Sequence, residues 1–348
     1  MANHLAYQMK IWILLLSLLF LKCNTDLKKD FRFSLKENSR KLTPQDTLRL
    51  NIVNKKNHPI DSVIYRLGNR KIDTNEPLNA HPLGIHTITA TVYSSGKKNE
   101  YQQQISILSN APPKLYSYTI VNEFPHDKNA YTQGLEFYRD TLYESTGLRG
   151  KSSLRKVDYS TGEVYQKIHL DKVYFGEGIS ILNDKLYQLT WQGNMGFQYD
   201  PDQLKMQRSF PYQNSKEGWG LCNDGENLYK SDGSHQIWIL DSKTQNEIHK
   251  IQVMTDKNAL KKINELEWVD GKIYANTYQF KKEVGIIINP LSGAVEGVID
   301  FSGLKSKVEQ VPNLDVLNGI AYHPKRKTFF VTGKNWSKLF EVKISPKP

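Results

Sequence analysis

The chain has 348 residues, 47 Lys and Arg against 36 Asp and Glu, a formal charge of +11, 39% hydrophobic residues and 11% aromatics. That length allows about two domains, and the apolar and charged fractions exclude a disordered, collagenous or coiled-coil protein. Two cysteines, Cys23 and Cys222, exclude a disulfide scaffold and a multi-cysteine zinc module, while the positive charge permits nucleic acid or an anionic membrane as partner without requiring either.

In chain order, residues 1–23 predict an export signal. Lys10 precedes an apolar run from Ile11 to Leu21, too short to span a bilayer and of signal-peptide length. Cys23 follows directly, as at a bacterial lipoprotein cleavage site, which makes it the candidate lipidation site; Lys22 departs from the small residue usual there. The expectation is an exported, periplasmic or outer-membrane-attached bacterial lipoprotein held to the membrane at Cys23. Ordinary secretion and an uncleaved anchor are the alternatives, and Met9 is a second candidate start. Residues 24–41, polar and charged, read as a tether. Residues 42–110 carry short runs of period two, such as Thr47 to Ile52 and Ile85 to Tyr93, separated by turn residues such as Asn57-His58-Pro59. They predict a small immunoglobulin-like β-sandwich without a chemical constellation. Ala111-Pro112-Pro113 is the linker.

Residues 114–345 contain a repeat. Gln133-Gly134-Leu135, Glu177-Gly178-Ile179, Trp219-Gly220-Leu221, Asn264-Glu265-Leu266 and Asn318-Gly319-Ile320 align at spacings of 44, 42, 45 and 54 residues. An aromatic-rich strand follows each, such as Leu142-Tyr143-Glu144 or Leu228-Tyr229-Lys230, then a third strand, a turn and a fourth. Four short strands in each of five repeats predict a five-bladed β-propeller, so the whole chain reads as all-β. The last repeat lacks a strand, which Tyr116 to Glu123 can supply from ahead of the first repeat, closing the ring without a long bare edge.

Equivalent positions in such a ring share one rim. The alignment places Gln133, Glu177, Trp219, Asn264 and Asn318 on one ring, and Gly147, Trp191, Gly233, Tyr278 and Lys334 on a second. Their chemical divergence predicts a built pocket with aromatic walls (Trp191, Trp219, Tyr278 and Phe175), one carboxylate (Glu177), amides and an ammonium. Blander readings are blade packing for the aromatics, backbone caps for Gln133 and Asn264, and a surface charge for Lys334. Glu177 between two glycines resists such a reading, because a buried unpaired carboxylate is costly. The nine histidines are scattered, and neither metal-ligand spacing, a nucleophile elbow nor a phosphate loop occurs.

The ordered motifs Tyr131-Thr132-Gln133-Gly134, Phe175-Gly176-Glu177-Gly178, Glu217-Gly218-Trp219-Gly220, Asn264-Glu265-Leu266-Glu267, Leu317-Asn318-Gly319 and Thr332-Gly333-Lys334-Asn335-Trp336 resemble the plant-type glutaminyl-peptide cyclotransferases. The resemblance runs from about Tyr116 to Val342 and leaves the first 110 residues uncovered. It implies conversion of an N-terminal glutamine of a peptide or protein to pyroglutamate with loss of ammonia, on a five-bladed propeller without catalytic zinc or other cofactor. It assigns the pocket to Tyr131, Gln133, Phe175, Glu177, Trp191, Trp219, Asn264, Tyr278 and Lys334. Tyr131 stands where Phe is common, and Tyr278 where Trp is common.

The chemistry expected is intramolecular acyl transfer, with Glu177 carrying a proton from the attacking amine to the leaving nitrogen. Gln133, Asn264 and Lys334 are the candidates to meet the developing oxyanion. The rivals are a non-enzymatic cell-surface propeller that binds a peptide or glycan, and a metal-dependent lactonase-like propeller with Glu265, Glu267 or Glu177 as ligands. No ligand loop predicts a structural cation in the channel. A monomer without a nucleic-acid partner is expected, because the lysines are scattered rather than striped with aromatics.

Overall fold

The structure, a computed structural model, describes residues 29–35 and 40–347; the expected signal and Cys23 lie outside them. None of the helices among the described residues is long and apolar enough to cross a membrane. The chain divides into two compact units, one of described residues 29–35, 48–76 and 87–103, the other of 40–47, 77–86 and 104–347.

In the first unit, Phe31–Leu35 pairs antiparallel with Thr47–Asn54, and Ser62–Leu67 pairs antiparallel with both Arg70–Ile72 and Gly84–Ser94. Phe31 and Val92 are buried together against Ile52, Val63 and Tyr101. Phe31–Leu35 falls inside the stretch expected as a tether. Its alternating Phe31, Phe33 and Leu35 supply a strand pattern that the surrounding lysines obscure.

Three four-stranded sheets and one eight-stranded sheet, whose two four-stranded halves are numbered here as the fourth and fifth sheets, make up most of the second unit. The first is Thr132–Tyr138, Thr141–Thr146, Ser153–Val157 and Val164–His169; the second Gly176–Leu182, Lys185–Thr190, Met195–Asp200 and Lys205–Pro211. The third is Leu221–Asn223, Asn227–Ser231, Gln236–Asp241 and Glu247–Gln252; the fourth Ile263–Val269, Lys272–Thr277, Val284–Ile288 and Val295–Asp300. The fifth takes Leu317–His323, Thr328–Gly333 and Lys338–Pro346, and its last strand is Lys114–Pro125, paired antiparallel from Pro125 opposite Lys338 to Tyr116 opposite Pro346. Early and late chain thus meet in one sheet, as the missing strand of the last repeat requires. The same Lys114–Pro125 strand also pairs in parallel with Val295–Asp300, joining the fourth and fifth sheets.

Local chemistry explains the recurring form. At the turn before each of the first four outer strands, an acid or amide folds back on the backbone. Asp158 Oδ1 accepts from Ser160 N, Asp200 Oδ1 from Gln203 N, Asp241 Oδ1 from Thr244 N and Asn289 Oδ1 from Leu291 N. The first strands of consecutive sheets touch one another in a closed cycle, the fifth meeting the first. Apolar layers fill the spaces between neighbours. Tyr187, Leu189 and Phe210 of the second sheet meet Leu221, Trp238 and Leu240 of the third, and Leu135 and Leu142 of the first meet Phe330 and Leu339 of the fifth. Each large buried side chain contributes about 1.5–3 kcal/mol by leaving water. The close approach demands Gly220, where an added Cβ would lie 2.1 Å from the Asn264 carbonyl oxygen.

Four first strands break register at their start, between Thr132 and Gly134, Gly176 and Ile179, Ile263 and Leu266, and Leu317 and Ile320. In the third sheet the ladder begins only at Leu221. Gln133, Glu177, Asn264 and Asn318 sit in these breaks, where an extra residue re-aims a side chain away from the ladder.

A buried ion pair fixes one loop at this end. Lys230 Nζ lies 2.9 Å from Glu247 Oε1 with both side chains excluded from water, and 3.6 Å from the centre of the Tyr212 ring. Glu247 also accepts from the backbone N–H groups of Asn214 and Ser215, at 2.6 and 3.0 Å. Burial opposes ionisation of Glu247, but Lys230 and Ser215 outweigh it and hold the carboxyl down at about 2. Lys230→Met should therefore destabilise the protein by about 3–5 kcal/mol in denaturant unfolding, because it strands a buried carboxylate. The sign is that of a depressed acid. In the native protein this stabilisation is complete above the unfolded carboxyl's pKa of about 4.3 and fades as pH falls toward about 2, so the wild type and Lys230→Met should converge in acid.

Candidate active site

At the rim, nine side chains line one cavity of about 210 Å³: Tyr131, Gln133, Phe175, Glu177, Trp191, Trp219, Asn264, Tyr278 and Lys334. They come from all five sheets and their connecting loops, and they are the nine residues assigned from the sequence. Rings meet edge to face around the wall: Tyr131 with Phe175 at 6.1 Å, Phe175 with Trp191 at 5.5 Å, and Trp219 with Tyr278 at 6.0 Å. The second ring's glycines serve as seats for these walls. A Cβ at Gly147 would lie 2.2 Å from the Phe175 ring, and one at Gly233, whose φ is +75°, 2.5 Å from the Trp219 indole.

Glu177 is 4% exposed. Its Oε1 accepts from Gln133 Nε2 at 3.0 Å, whereas its Oε2 is buried with no hydrogen-bond partner. Gln133 is itself held, since its Oε1 accepts from Asn318 Nδ2 at 3.0 Å, and that amide also donates to the Thr132 carbonyl. Both ends of the Gln133 amide are therefore engaged. Asn264 presents a buried Oδ1 that accepts nothing. Lys334, 3% exposed, is not the surface charge of the blander reading. Its ammonium lies over the faces of Tyr131 and Tyr278, 4.8 and 4.9 Å from the ring centres.

The electrostatics follow from this dry setting. Burial pushes Glu177 well above the usual carboxylate range; Lys334 pulls it down and Glu217 pushes it further up. Burial lowers the pKa of Lys334, against the pull of Glu177 and Asp315. A carboxyl inclined to hold its proton and a cation inclined to lose one thus share the cavity.

Sequence reasoning missed two supporting residues, Asp315 and Glu217, and placed a third, Asn318, without its role. Asp315 Oδ2 accepts from the Tyr131 hydroxyl at 2.7 Å. Glu217 Oε2 accepts from both Trp191 Nε1 and Trp219 Nε1, each at 2.9 Å. Asn318, placed on the rim by the alignment, acts through Gln133 rather than by lining the cavity. A signal for Glu217 existed. The position two before each rim residue holds Tyr131, Phe175, Glu217, Lys262 and Val316, so extending the alignment by two residues adds a carboxylate to a ring with two pocket aromatics. Glu265 and Glu267 do not line the cavity. Glu265 accepts from Leu135 N and Ile320 N, and Glu267 from Tyr322 N.

Comparison with known proteins gives the same direction. Residues 87–344 match the glutamine cyclotransferase family model. A glutaminyl-peptide cyclotransferase of Arabidopsis thaliana is 40% identical over 228 residues, which cover 65% of this chain and 70% of that protein. The crystal structure of Myxococcus xanthus glutaminyl cyclase superposes with a TM-score of 0.63 at 33% identity, covering 68% of this chain and all of that one. The chain belongs to the glutamine cyclotransferase family. It is an acyltransferase, a glutaminyl-peptide cyclotransferase.

The raised Glu177 has a thermodynamic signature. The folded chain binds that proton more tightly than the unfolded chain, so stability drains away as pH rises above the ordinary carboxyl value of about 4.3. Glu177→Gln removes this cost and keeps an oxygen for the Gln133 hydrogen bond. It should gain about 0.5–2 kcal/mol at pH 8 and little at pH 4, as read from paired thermal melts.

Proposed function

We propose that Glu177 is the proton shuttle of an intramolecular acyl transfer, and the observation that carries this is its buried, unpartnered Oε2. The substrate's α-amine attacks the side-chain amide carbon and gives its proton to Oε2. Glu177 returns that proton to the amide nitrogen, the carbon–nitrogen bond breaks, and ammonia leaves pyroglutamate behind. A free α-amine titrates at about 7.7–8.0, so a base raised above the ordinary carboxylate range is well matched to it. Trp191, Trp219, Phe175 and Tyr278 hold the glutamine side chain folded onto its own amine and exclude water, which lowers the entropic part of the barrier.

The remaining polar groups divide by what they have free. Gln133 spends both ends on Glu177 and Asn318 and so orients the shuttle. Asn264 has a free oxygen, suited to accept from the substrate's amine or amide N–H. Lys334 is the donor left to meet the developing oxyanion. The chemistry runs without zinc in this reading. Among the described residues no group of three or more His, Cys, Asp or Glu side chains is arranged to hold a metal ion, and Glu265 and Glu267 are engaged with backbone N–H groups.

The same proposal takes the five sheets as the blades of a propeller and the N-terminal strands as an immunoglobulin-like spacer. Export and a lipid at Cys23 would hold the enzyme, as a monomer, at the cell envelope.

A coupled assay of ammonia release from a Gln-Xaa peptide tests the chemistry. Glu177→Gln should lower kcat by about 10²–10⁴-fold, the range of a lost general acid–base. Lys334→Met should cost about 10²–10³-fold, as for a lost oxyanion donor, and chelator should change nothing. Near-normal turnover in Glu177→Gln removes it from the mechanism. As pH falls, kcat/KM should decline at a pH above the normal carboxyl value of about 4.3, because the base must be ionised in the free enzyme. For the anchor, Cys23→Ala should abolish incorporation of a palmitate analogue and move the protein from the membrane to the soluble fraction.

A further inference from the structure

We propose that Glu217 is the positioning residue of this pocket: one carboxylate oxygen, Oε2, latches both tryptophan walls by their indole N–H groups. The inference rests on the pocket being the site of cyclisation. Trp191 follows the second strand of the second sheet, and Trp219 precedes the first strand of the third. Nothing in the sheet ladders joins these two positions. Their common partner does, at 2.9 Å to each nitrogen. An indole N–H has a single direction, so a shared acceptor fixes the rotation of both rings together. The other oxygen, Oε1, receives only a long contact of 3.5 Å from Gln192.

Glu217 can act as a latch because its own loop is anchored on both sides. Before it, Asn214 and Ser215 are tied to Glu247 and through it to the buried Lys230. After it, Gly218 N donates to the Thr190 carbonyl and Trp219 N to the Ser231 carbonyl, at 3.2 and 3.0 Å. Thr190 belongs to the second sheet and Ser231 to the third, so the latch is fixed to the same two sheets whose tryptophans it sets. Packing alone leaves an indole free to tilt within its seat, and a displacement of about 1 Å in a positioning group can cost about 10²-fold in rate.

The test separates reach from charge. Glu217→Gln keeps an acceptor oxygen at the same distance and loses the charge. Glu217→Asp keeps the charge and is one methylene too short to meet both indoles. Kinetics on a Gln-Xaa peptide, read at a pH above the acid limb that loss of the Glu217 charge would move, should show Glu217→Gln within about threefold of wild type, and Glu217→Asp raised about tenfold in KM, with kcat/KM down about 10–100-fold. Glu217→Ala should behave like Glu217→Asp. Should the alanine variant fail to fold, the Gln and Asp pair decides alone, with thermal melts showing both folded. Partial misfolding lowers apparent kcat and leaves KM in place, so the KM shift marks positioning. The proposal is overturned if Glu217→Asp keeps wild-type kinetics, or if Glu217→Gln falls as far as Glu217→Asp. Glu177→Gln is run in parallel. Undiminished turnover there would displace the reading of the site itself, whatever the Glu217 variants show.

Discussion

The first strand of every sheet has one edge in its ladder and the other against its neighbours' first strands, where no ladder continues. Backbone groups on such an edge must find partners or cost stability. Side chains supply them. Glu265 takes the N–H groups of Leu135 and Ile320, from the first and fifth sheets, and Glu267 that of Tyr322. Asn276 takes that of Gly319, and Asn223 gives to the Ile181 carbonyl. Glu265 stands where the other repeats have glycine. It exchanges close backbone contact for a carboxyl that bridges two sheets, and burial raises its pKa, which favours the neutral acid in so dry a place.

The site is built on a departure from that economy. At the register breaks the same kind of side chain turns toward the rim, and the pairing is left incomplete. Glu177 keeps one oxygen unused and Asn264 keeps one as well. Open in a wall of aromatic rings, these two oxygens are the groups that the proposed cyclisation would use. The support behind the tryptophan walls runs from the Lys230–Glu247 pair through the Asn214–Ser215 backbone to Glu217 and the two indoles.

What the sequence showed and what it hid follow the same division. The repeat was legible because strands recur at spacings of 42 to 54 residues, with an Asx turn and a tyrosine after the first strand in four of the five repeats. Those tyrosines have a structural use: Tyr143 donates to the Pro201 carbonyl and Tyr187 to that of Ser242, each reaching a turn of the next sheet. This accounts for part of the aromatic surplus. Most lining residues were legible because they occupy equivalent repeat positions, whereas Tyr131 was assigned only by the family resemblance. Asp315 was not legible, because its partner Tyr131 lies far along the chain and no periodicity marks a long-range acceptor, and the repeat offset that marks Glu217 says nothing of its bond to Trp191. The Glu144 carboxyl was hidden in the same way. It takes hydrogen bonds from His126 and Thr132 and lies 3.5 Å from Arg155, linking residues that the alignment treats as unrelated.

The two positions at which the pocket departs from the family resemblance, Tyr131 and Tyr278, prove to be neighbours of one atom. Both rings face the Lys334 ammonium. They are chemically unequal, since Tyr131 also gives its hydroxyl to Asp315, while the edge of Tyr278 packs against the Trp219 wall and exposed Phe280. Burial and the Asp315 carboxylate raise the Tyr131 phenol, so it stays protonated and its hydrogen bond keeps one direction. Through that bond Tyr131 holds the Asp315 carboxylate close to Lys334, where its charge opposes the loss of the lysine's proton that burial favours. A phenylalanine at 131 would offer the ammonium a ring face and no hydrogen bond to Asp315 Oδ2. The tyrosine therefore adds a second hydrogen bond to a carboxylate that already accepts from Val316 N, beside the Lys334 ammonium that both rings face.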